Sequence, residues 1–357
     1  MNEAFYMTQI DLDRITLDLE NRAPTRDRAF DRILVELLAD FYQAMISDQK
    51  HAEPVWQPAC EWKNYNEEKN FLYSALLEGS IEEASTYLEN FWRNKLGLIV
   101  KEYATFEALS KGEPDIIEPF LKSILRNYVI WKDIYHLPAE RLKMQASSGN
   151  PWGCMIDGVL VAPKATRYHH NALQLKNLLK ACDGKVIGEI GAGYGALCHY
   201  VLKETSGVRY VDFDLPETLV LAAYYLISSF PNKQFFLYGE QELSGAALTA
   251  SDVALLPNYT IRSVEDKSID VFFNSFSLSE MPREVNAAYL DEIARLARAY
   301  FLHNNMDRSG VINRGFERIP ASEFPIDENR FTRLNTNYDL FRSHFGDYKE
   351  FLYHISR

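Results

Sequence analysis

The chain has little of what marks a secreted or metal-binding protein. Only 4 of its 357 residues are cysteine, and Cys60, Cys154, Cys182 and Cys198 show no CxxC spacing. Four scattered thiols in a chain of this length suit buried side chains in a reducing compartment better than disulfides or a zinc site. HxH, HExxH and clustered-aspartate patterns are also missing, so we expect no metal centre.

Long apolar runs and dense positive charge are missing too. The longest mainly apolar stretch, Leu219–Phe230, is much shorter than the ~20 residues that cross a bilayer, and the N-terminus has no signal-peptide core. The 38 Lys and Arg are outnumbered by 50 Asp and Glu, which gives a net charge of −12 without any basic run. The sequence predicts a soluble, cytoplasmic protein that binds neither membranes nor nucleic acid.

Glycine is scarce in the first part of the chain. Of the 17 glycines, residues 1–148 hold only Gly79, Gly97 and Gly112. Apolar residues in this part recur at the i, i+3, i+4, i+7 spacing of a buried helical face and predict helices over 27–47, 81–109 and 115–135. We therefore predict an all-α N-terminal domain over 1–148, suited to shaping an acceptor pocket or to forming homo-oligomers.

Residues 147–163 concentrate Gly, Asn and Pro, as interdomain crossovers do, and a second domain is predicted over 149–357. Short β-branched or aromatic runs alternate there with helical stretches, which is typical of βαβ units and a parallel sheet. The predicted strands are 186–190, 209–212, 235–237, 253–256, 269–274, 300–304 and 348–355. The fold class is therefore α/β, with a mostly parallel sheet of seven strands behind a helical domain.

The sharpest local feature is VIGEIGAGYGA at 186–196, an apolar strand that runs into Gly191, Gly193 and Gly195 and then into a helix. Such glycines let the backbone turn tightly beside a ligand, and the helix N-terminus offers free N–H groups. With Ala196 the loop satisfies the dinucleotide fingerprint G-x-G-x-x-G/A, and with Glu189 it satisfies the E-x-G-x-G-x-G loop used for S-adenosylmethionine. A tight turn without a ligand is a third interpretation.

Two carboxylates help to separate these alternatives. Asp214 lies 23 residues after Gly191, at the end of the second strand, where it could bind the ribose hydroxyls of either cofactor. Glu189 lies two places before the first glycine, where it would attract the cationic amino-acid end of a methyl donor and repel a pyrophosphate. A Glu189 that only holds the loop by hydrogen bonds is compatible with both.

Three segments in order, EIGAGYGA at 189–196, DFDLPETL at 212–219 and VEDKSIDVFFNSFSLSEM at 264–281, resemble class I S-adenosylmethionine-dependent methyltransferases. The resemblance implies a Rossmann-like sheet and S-adenosylmethionine as the cofactor. It also implies that the residues of the glycine loop, with Glu189, surround the methionine part of that cofactor.

Further roles follow from the same resemblance. Asp214 would hold the ribose, and Leu215 would flank the adenine. Asn274 and Ser275 would lie along the cofactor near the reacting centre. Glu240 stands at about the distance of the family's acidic residue after the third strand, although the extra segment SDVALLPNY departs from the common pattern.

More narrowly, GNPWG at 149–153, the Arg167–Tyr168 pair, DLPE and NSFSLSEM resemble sugar O-methyltransferases of bacterial natural-product and polysaccharide pathways. This likeness implies methyl transfer to a hydroxyl of a sugar or a glycosylated small molecule. Arg167, Tyr168 and Asn304 are then candidates for binding the acceptor, and we expect the chemistry to need no metal. Because no basic cluster is visible in the sequence, an uncharged or cationic acceptor is favoured, with Arg167 and Arg283 as the arginines that folding could bring to the site.

A hydroxyl acceptor needs a base to take its proton. Glu280, which follows the fourth strand, is the first candidate, although a carboxylate just before Pro282 could equally serve a helix start. His170 and His303 are the second and third candidates, because imidazole titrates in the useful range.

Two rival functions stay open at the level of the sequence. The glycine loop also permits an oxidoreductase with a nicotinamide cofactor. A methyltransferase fold could also serve as a catalytically idle partner subunit, with the helical half as its interaction surface.

Overall fold

The fold is known from a computed structural model. It describes residues 14–22, 28–59, 62, 71–94, 102–144, 148–312, 316–342 and 346–356. Cys60 and residues 95–101, which belong to one of the predicted helices, lie outside the described residues. Within the described ranges, no helix is both long and apolar enough to cross a membrane.

Among the described residues, five α-helices of several turns precede residue 148. They are α1 (Arg28–Gln49), α2 (Phe71–Glu78), α3 (Ile81–Glu89), α4 (Glu102–Ser110) and α5 (Pro114–Tyr135). The single helix predicted over 81–109 is wrong, since α3 ends at Glu89 and α4 begins at Glu102. The chain turns there to bury Phe91 and Trp92, and the Trp92 N–H donates to the Gly149 carbonyl at 3.1 Å.

The expectation that residues 1–148 are all helical is also wrong. Strand β1 (Ile15–Asp18) pairs antiparallel with β2 (Gly153–Ile156), which pairs with β3 (Val159–Val161). A strand of four residues with polar neighbours has too short an apolar pattern to be recognised in the sequence. Its pairing with β2 ties the first described residues to the segment that follows residue 148.

The central sheet has eight strands among the described residues, where seven were expected. Its helices are α6 (Ala165–Leu179), α7 (Ala196–Glu204), α8 (Pro216–Ser229), α9 (Gly245–Ala250) and α10 (Arg283–Leu296). Its strands are β4 (Val186–Ile190), β5 (Arg209–Asp214), β6 (Phe235–Leu237), β7 (Val253–Pro257), β8 (Ile269–Ser275), β9 (Ala297–Met306), β12 (Phe331–Tyr338) and β13 (Tyr348–Ile355). A separate hairpin joins β10 (Gly310–Ile312) to β11 (Phe316–Arg318).

The order of the strands places the site. The sheet runs β12-β13-β9-β8-β4-β5-β7-β6, and pairing from β9 to β6 is parallel, whereas β13 and β12 are antiparallel. β4 therefore lies between β5 and β8. After β4 the chain builds one half of the sheet, and it then crosses back to form β8 on the other side of β4. In such open sheets the direction in which strands are added reverses at one point, here at β4. Ligands bind beyond the carboxyl ends of the strands at this point. The unpredicted strand is β12, whose residues are mostly exposed and give no apolar alternation.

The N-terminal helices pack directly on the sheet domain. α1 lies against α8, and one hydrophobic core includes Leu38 of α1 and Leu219 of α8. The Tyr73 hydroxyl donates to the Glu217 carbonyl at 2.7 Å, and the Tyr42 hydroxyl donates to the Glu217 carboxylate at 3.2 Å. Apolar burial and buried hydrogen bonds thus join the two parts of the chain.

Leu38→Ala should destabilise the whole protein. Leu38 is fully buried, so the cavity should lower the free energy of unfolding by about 2–5 kcal/mol, measured by urea denaturation. Because α1 shares its core with α8, far-ultraviolet circular dichroism and tryptophan fluorescence should report one common transition. Ile33→Ala, in the same helix but with Ile33 66% exposed, should change stability by less than about 0.5 kcal/mol. Two separate transitions would contradict the shared core.

Candidate functional site

A cavity of about 280 Å³ opens where β4, β5 and β8 end. We call it the central cavity. Predicted residues that line it are Glu189, Gly191, Gly193, Asp214, Leu215, Ser275, Glu280, Arg167 and Tyr168. It is also lined by Val55, Gln57, Pro58, Ala59 and Trp62, from the segment between α1 and α2. The N-terminal part of the chain therefore contributes one wall of the site.

The glycine loop leads from β4 into α7, and its three glycines differ in what they allow. All three have left-handed backbones, with φ of 75° at Gly191, 65° at Gly193 and 83° at Gly195. A Cβ at Gly193 would meet no atom within 4 Å, so this position faces open space. A Cβ at Gly195 would lie 2.8 Å from Leu226, so this glycine, which does not line the cavity, lets α7 pack closely on α8.

Asp214 closes the loop onto the end of β5. Its Oδ2 accepts a hydrogen bond from the Gly193 N–H at 3.0 Å, and its Oδ1 accepts one from the Leu215 N–H at 2.7 Å. Leu215 is the N-cap of α8, and Pro216 occupies the first position of the helix, where its missing N–H costs no hydrogen bond. One carboxylate thus fixes both the loop and the first turn of the helix that follows.

Three carboxylates crowd together at this end of the central cavity. Glu189 is 3% exposed and lies beside Asp212, its register partner on β5, which is 1% exposed. Burial, and then the charge of Asp214, raises the pKa of Glu189 to about 8, although the Tyr210 hydroxyl donates a hydrogen bond to it. Burial together with the neighbouring carboxylates also raises the pKa of Asp212, and burial raises that of Asp214. Such an acidic end favours a cationic ligand.

The turn after β8 forms a second wall. Phe276 has φ of 72°, which costs a non-glycine residue about 1–3 kcal/mol and is most frequent at functional sites. Asn274 is buried and does not line the cavity. Its side-chain amide donates to the Ile190 carbonyl at 2.8 Å and thereby braces the glycine loop. Asn304 does not line the cavity either, since its carbonyl accepts from the Phe276 N–H at 2.9 Å and its side chain is buried.

The two histidine candidates lie outside the central cavity. His170 Nδ1 lies 2.6 Å from the Tyr135 hydroxyl, and burial lowers the pKa of His170 to about 4. His303 is buried among aromatic rings, with Phe351 5.0 Å from it, and burial lowers its pKa to about 3. Neither ring lines the central cavity, because His170 is half-buried beside Tyr135 and His303 is buried, so the structure does not bring either candidate base to the site.

Glu240 does not occupy the position beside the cofactor site that its spacing in the sequence suggested. It follows β6, but β6 is the edge strand of the sheet, and β7 takes the place beside β5. Glu240 is therefore exposed and does not line the cavity. Its counterpart in position is Asn258, which follows β7 and lines the cavity. Nothing in the sequence distinguished the inserted edge strand from the inner one.

Several lining residues had no sequence signal. Phe276, Arg318 and Arg342 line the cavity, and the two arginines come from β11 and from the turn after β12. Both segments lie far from the glycine loop along the chain. Arg283, which the sequence suggested, is exposed and donates to the Glu323 carbonyl at 3.3 Å, outside the cavity.

Glu189→Gln should change how stability depends on pH. The pKa of Glu189 is about 8 in the folded protein, against an ordinary 4.5. Its proton therefore stabilises the ligand-free fold fully below about pH 4.5, and this contribution is lost as the pH rises through about 8. One proton corresponds to about 1.4 kcal/mol per pH unit, so the variant should lose stability less steeply in urea denaturation from pH 5 to 8. Glu240→Gln should behave as wild type, and equal slopes in all three proteins would refute the assignment.

No protein-family model matches this chain, and no curated protein does. Solved structures with a similar backbone include magnesium protoporphyrin IX methyltransferase from Synechocystis PCC 6803 with bound SAM, at 14% identity and a TM-score of 0.37, over 54% of this chain and 81% of that one. The N-methyltransferase NodS from Bradyrhizobium japonicum WM9 in complex with S-adenosyl-L-homocysteine gives 13% and 0.38, over 55% and 89%. The mitomycin 7-O-methyltransferase MmcR gives 16% and 0.34, over 54% and 56%. Each likeness spans about half of this chain.

Proposed function

We propose that the protein is an S-adenosylmethionine-dependent O-methyltransferase that acts on a hydroxyl of a sugar or a glycosylated small molecule. The observation that carries most weight is that Glu189 and Asp214 flank an open glycine loop in one cavity. S-adenosylmethionine has a sulfonium and an ammonium group, and buried carboxylates attract such cations. The sugar acceptor rests on the resemblance of GNPWG, DLPE and NSFSLSEM to sugar O-methyltransferases.

A nicotinamide cofactor fits the same loop less well. A pyrophosphate needs free N–H groups at the loop and no negative charge close by. The Gly193 N–H already donates to Asp214, and Glu189 is buried next to the loop. Both features oppose a dianionic group at this position and favour a cationic one.

The lining residues also suit the rest of the methyl donor. Gly193 leaves one side of the cavity open. Asn258 is buried, and its Oδ1 has no hydrogen-bond partner among the described residues, while its Nδ2 donates to the Trp56 carbonyl at 2.9 Å. An unused acceptor of this kind could receive an exocyclic amino group of adenine. Leu215 and Tyr289 line the same cavity and could cover the faces of the base.

S-adenosylmethionine, when bound, supplies an electrophilic methyl group. The residues of this chain must then orient the acceptor hydroxyl and receive its proton, because an alcohol is a weak nucleophile while protonated. We retain Glu280 as the base, since it lines the cavity in the turn after β8 and the two histidines do not. The Glu280 carboxylate would take the proton as the oxygen bonds to the methyl carbon, while the bond from that carbon to sulfur breaks and its electron pair leaves with S-adenosylhomocysteine.

Asp214→Ala should abolish binding of S-adenosylhomocysteine. The substitution removes the ribose-binding carboxylate and also releases the Gly193 N–H. Titration calorimetry should show micromolar binding to wild type, none to the variant, and no binding of NADH to either. Asp291→Ala removes a carboxylate that is paired with Arg330 on the surface and should bind as wild type. Retained affinity in Asp214→Ala would reject the assignment of this residue, and binding of NADH alone would reject the proposed function.

Glu280→Gln should separate binding from chemistry. The variant should bind S-adenosylhomocysteine normally and lose methyl transfer by about 10²-fold or more, because the amide cannot accept the proton. Transfer of labelled methyl groups into a library of sugars and glycosides measures this. Glu284→Gln, in the exposed first turn of α10, is the matched control. Full activity of Glu280→Gln would exclude it as the base. A wild type that binds the cofactor but methylates nothing would favour the idle partner subunit.

A further inference from the structure

Part of the lining of the central cavity is basic. It is lined by Lys164, Arg167, Arg318 and Arg342. These side chains come from the N-cap of α6, from α6 itself, from β11 and from the turn after β12. Because they are scattered over the sequence, the cluster exists only in the folded chain. We call it the basic end of the cavity.

Arg167 is the most unusual member of this group. Its side chain is only 5% exposed, and its Nε and Nη1 atoms are buried without a hydrogen-bond partner. No carboxylate of the described residues forms an ion pair with it. Burial of a guanidinium without compensating hydrogen bonds is costly. A side chain that bears this cost and lines a cavity is suited to a ligand that supplies the missing acceptors.

Arg342 adds a second charge to the first. Its pKa is lowered by burial and then by the charge of Arg167, so the two guanidinium groups repel each other. Both lie 4.3 Å from the centre of the Phe276 ring. Arg342 also donates to the Tyr348 hydroxyl at 3.1 Å, and no carboxylate of the described residues pairs with it. The aromatic contacts hold the guanidinium groups in place without neutralising them.

The carboxylates that share the cavity do not remove this excess. Arg167 lies close enough to Glu189 to favour its ionised form, but the two groups form no ion pair. Glu280 lines the cavity in the turn that also contains Phe276. The basic end therefore adjoins the residue to which we assign the proton transfer.

The methyl donor alone does not account for the basic end. Its amino-acid part carries one carboxylate, and one guanidinium can bind a carboxylate in a bidentate manner. Arg167, which lies near the acidic end, could make that contact. Arg342 and Arg318 would then still face the space left for the acceptor.

We infer that the acceptor carries an anionic group, a carboxylate or a phosphate, which Arg342 binds together with Arg318. This inference rests on the proposed function and specifies its substrate class. It differs from the expectation from the sequence, which favoured an uncharged or cationic acceptor. An anion held beside Phe276 would leave a sugar hydroxyl within the same cavity as Glu280.

Matched sugars test the inference. Wild type saturated with S-adenosylhomocysteine is titrated calorimetrically with glucose 6-phosphate, glucuronate and methyl glucoside. At least one of the two anionic sugars should bind about tenfold or more tightly than the neutral one, and its affinity should fall as salt rises from about 50 to 200 mM. Tighter binding of glucose 6-phosphate identifies the preferred anion as a phosphate, and tighter binding of glucuronate identifies it as a carboxylate. Equal affinity for all three sugars, or no binding of either anion, overturns the inference.

Variants connect that preference to the named residues. Arg342→Gln should lose the anion preference about tenfold while its affinity for S-adenosylhomocysteine and its melting temperature stay near those of wild type. Arg318→Gln is a second variant with the same expected direction. Arg333→Gln, on the exposed strand β12, removes one positive charge elsewhere and should change nothing. Unchanged anion binding in both Arg342→Gln and Arg318→Gln overturns the inference.

The two proposals can fail separately. If S-adenosylhomocysteine does not bind, the proposed function fails, and the same sugars are titrated into the ligand-free protein. An anion preference that disappears in Arg342→Gln then still supports the basic end as an anion site. If S-adenosylhomocysteine binds and no anion preference exists, the proposed function survives and the inference on the acceptor falls.

Discussion

The repulsion among Glu189, Asp212 and Asp214 is the constraint around which the site is arranged. The parallel register of β4 and β5 places Glu189 beside Asp212, and the end of β5 adds Asp214. Glu189 and Asp212 are buried and Asp214 is half-buried, so their pKa values rise and they hold protons that free carboxylic acids would release. The Tyr210 hydroxyl and the Gly193 and Leu215 N–H groups offset part of this cost. A cation can offset the remainder.

The central cavity therefore has two ends of opposite character. The acidic end is built from neighbouring strands. The basic end combines α6, which directly precedes β4, with β11 and the turn after β12, which follow much later in the chain. Phe276 has a strained backbone conformation and contacts Arg167 and Arg342 through its ring. Two contacts hold Phe276 in this conformation. Its N–H donates a hydrogen bond to the Asn304 carbonyl, and its ring packs against the ring of Tyr348.

Local patterns predicted the acidic end well and the basic end poorly. The glycine loop and Asp214 lie within one strand-turn-helix and at the end of the next strand, where short-range spacing determines position. Glu240 failed because β6 was added at the edge of the sheet, a difference in pairing that leaves no trace in the spacing of apolar residues. His170 and His303 failed because a histidine that packs on aromatic rings has the same sequence signature as one that faces a ligand.

The helical part was predicted as helices but not in its relation to the sheet. Apolar stripes identify a buried face without saying what covers it, and here α1 is covered by α8. The strand β1 escaped notice because its partner β2 lies more than a hundred residues away, and a pairing of that range is set by tertiary structure. Arg318 and Arg342 reach the cavity through contacts of similar range.

Opposite charges at the two ends also bear on how two ligands would influence each other. A cation at the acidic end favours the ionised form of Glu189. The positive charge of the bound cation and the negative charge of the Glu189 carboxylate then largely cancel in the electrostatic potential at the basic end. An anion bound beside Arg342 reduces the repulsion between the Arg342 and Arg167 guanidinium groups. Arg167 can then stabilise the ionised form of Glu189 at a lower cost to Arg342. Two ligands of opposite charge in one cavity also attract each other directly, so the occupation of both ends at once is favoured over the sum of the two separate binding events.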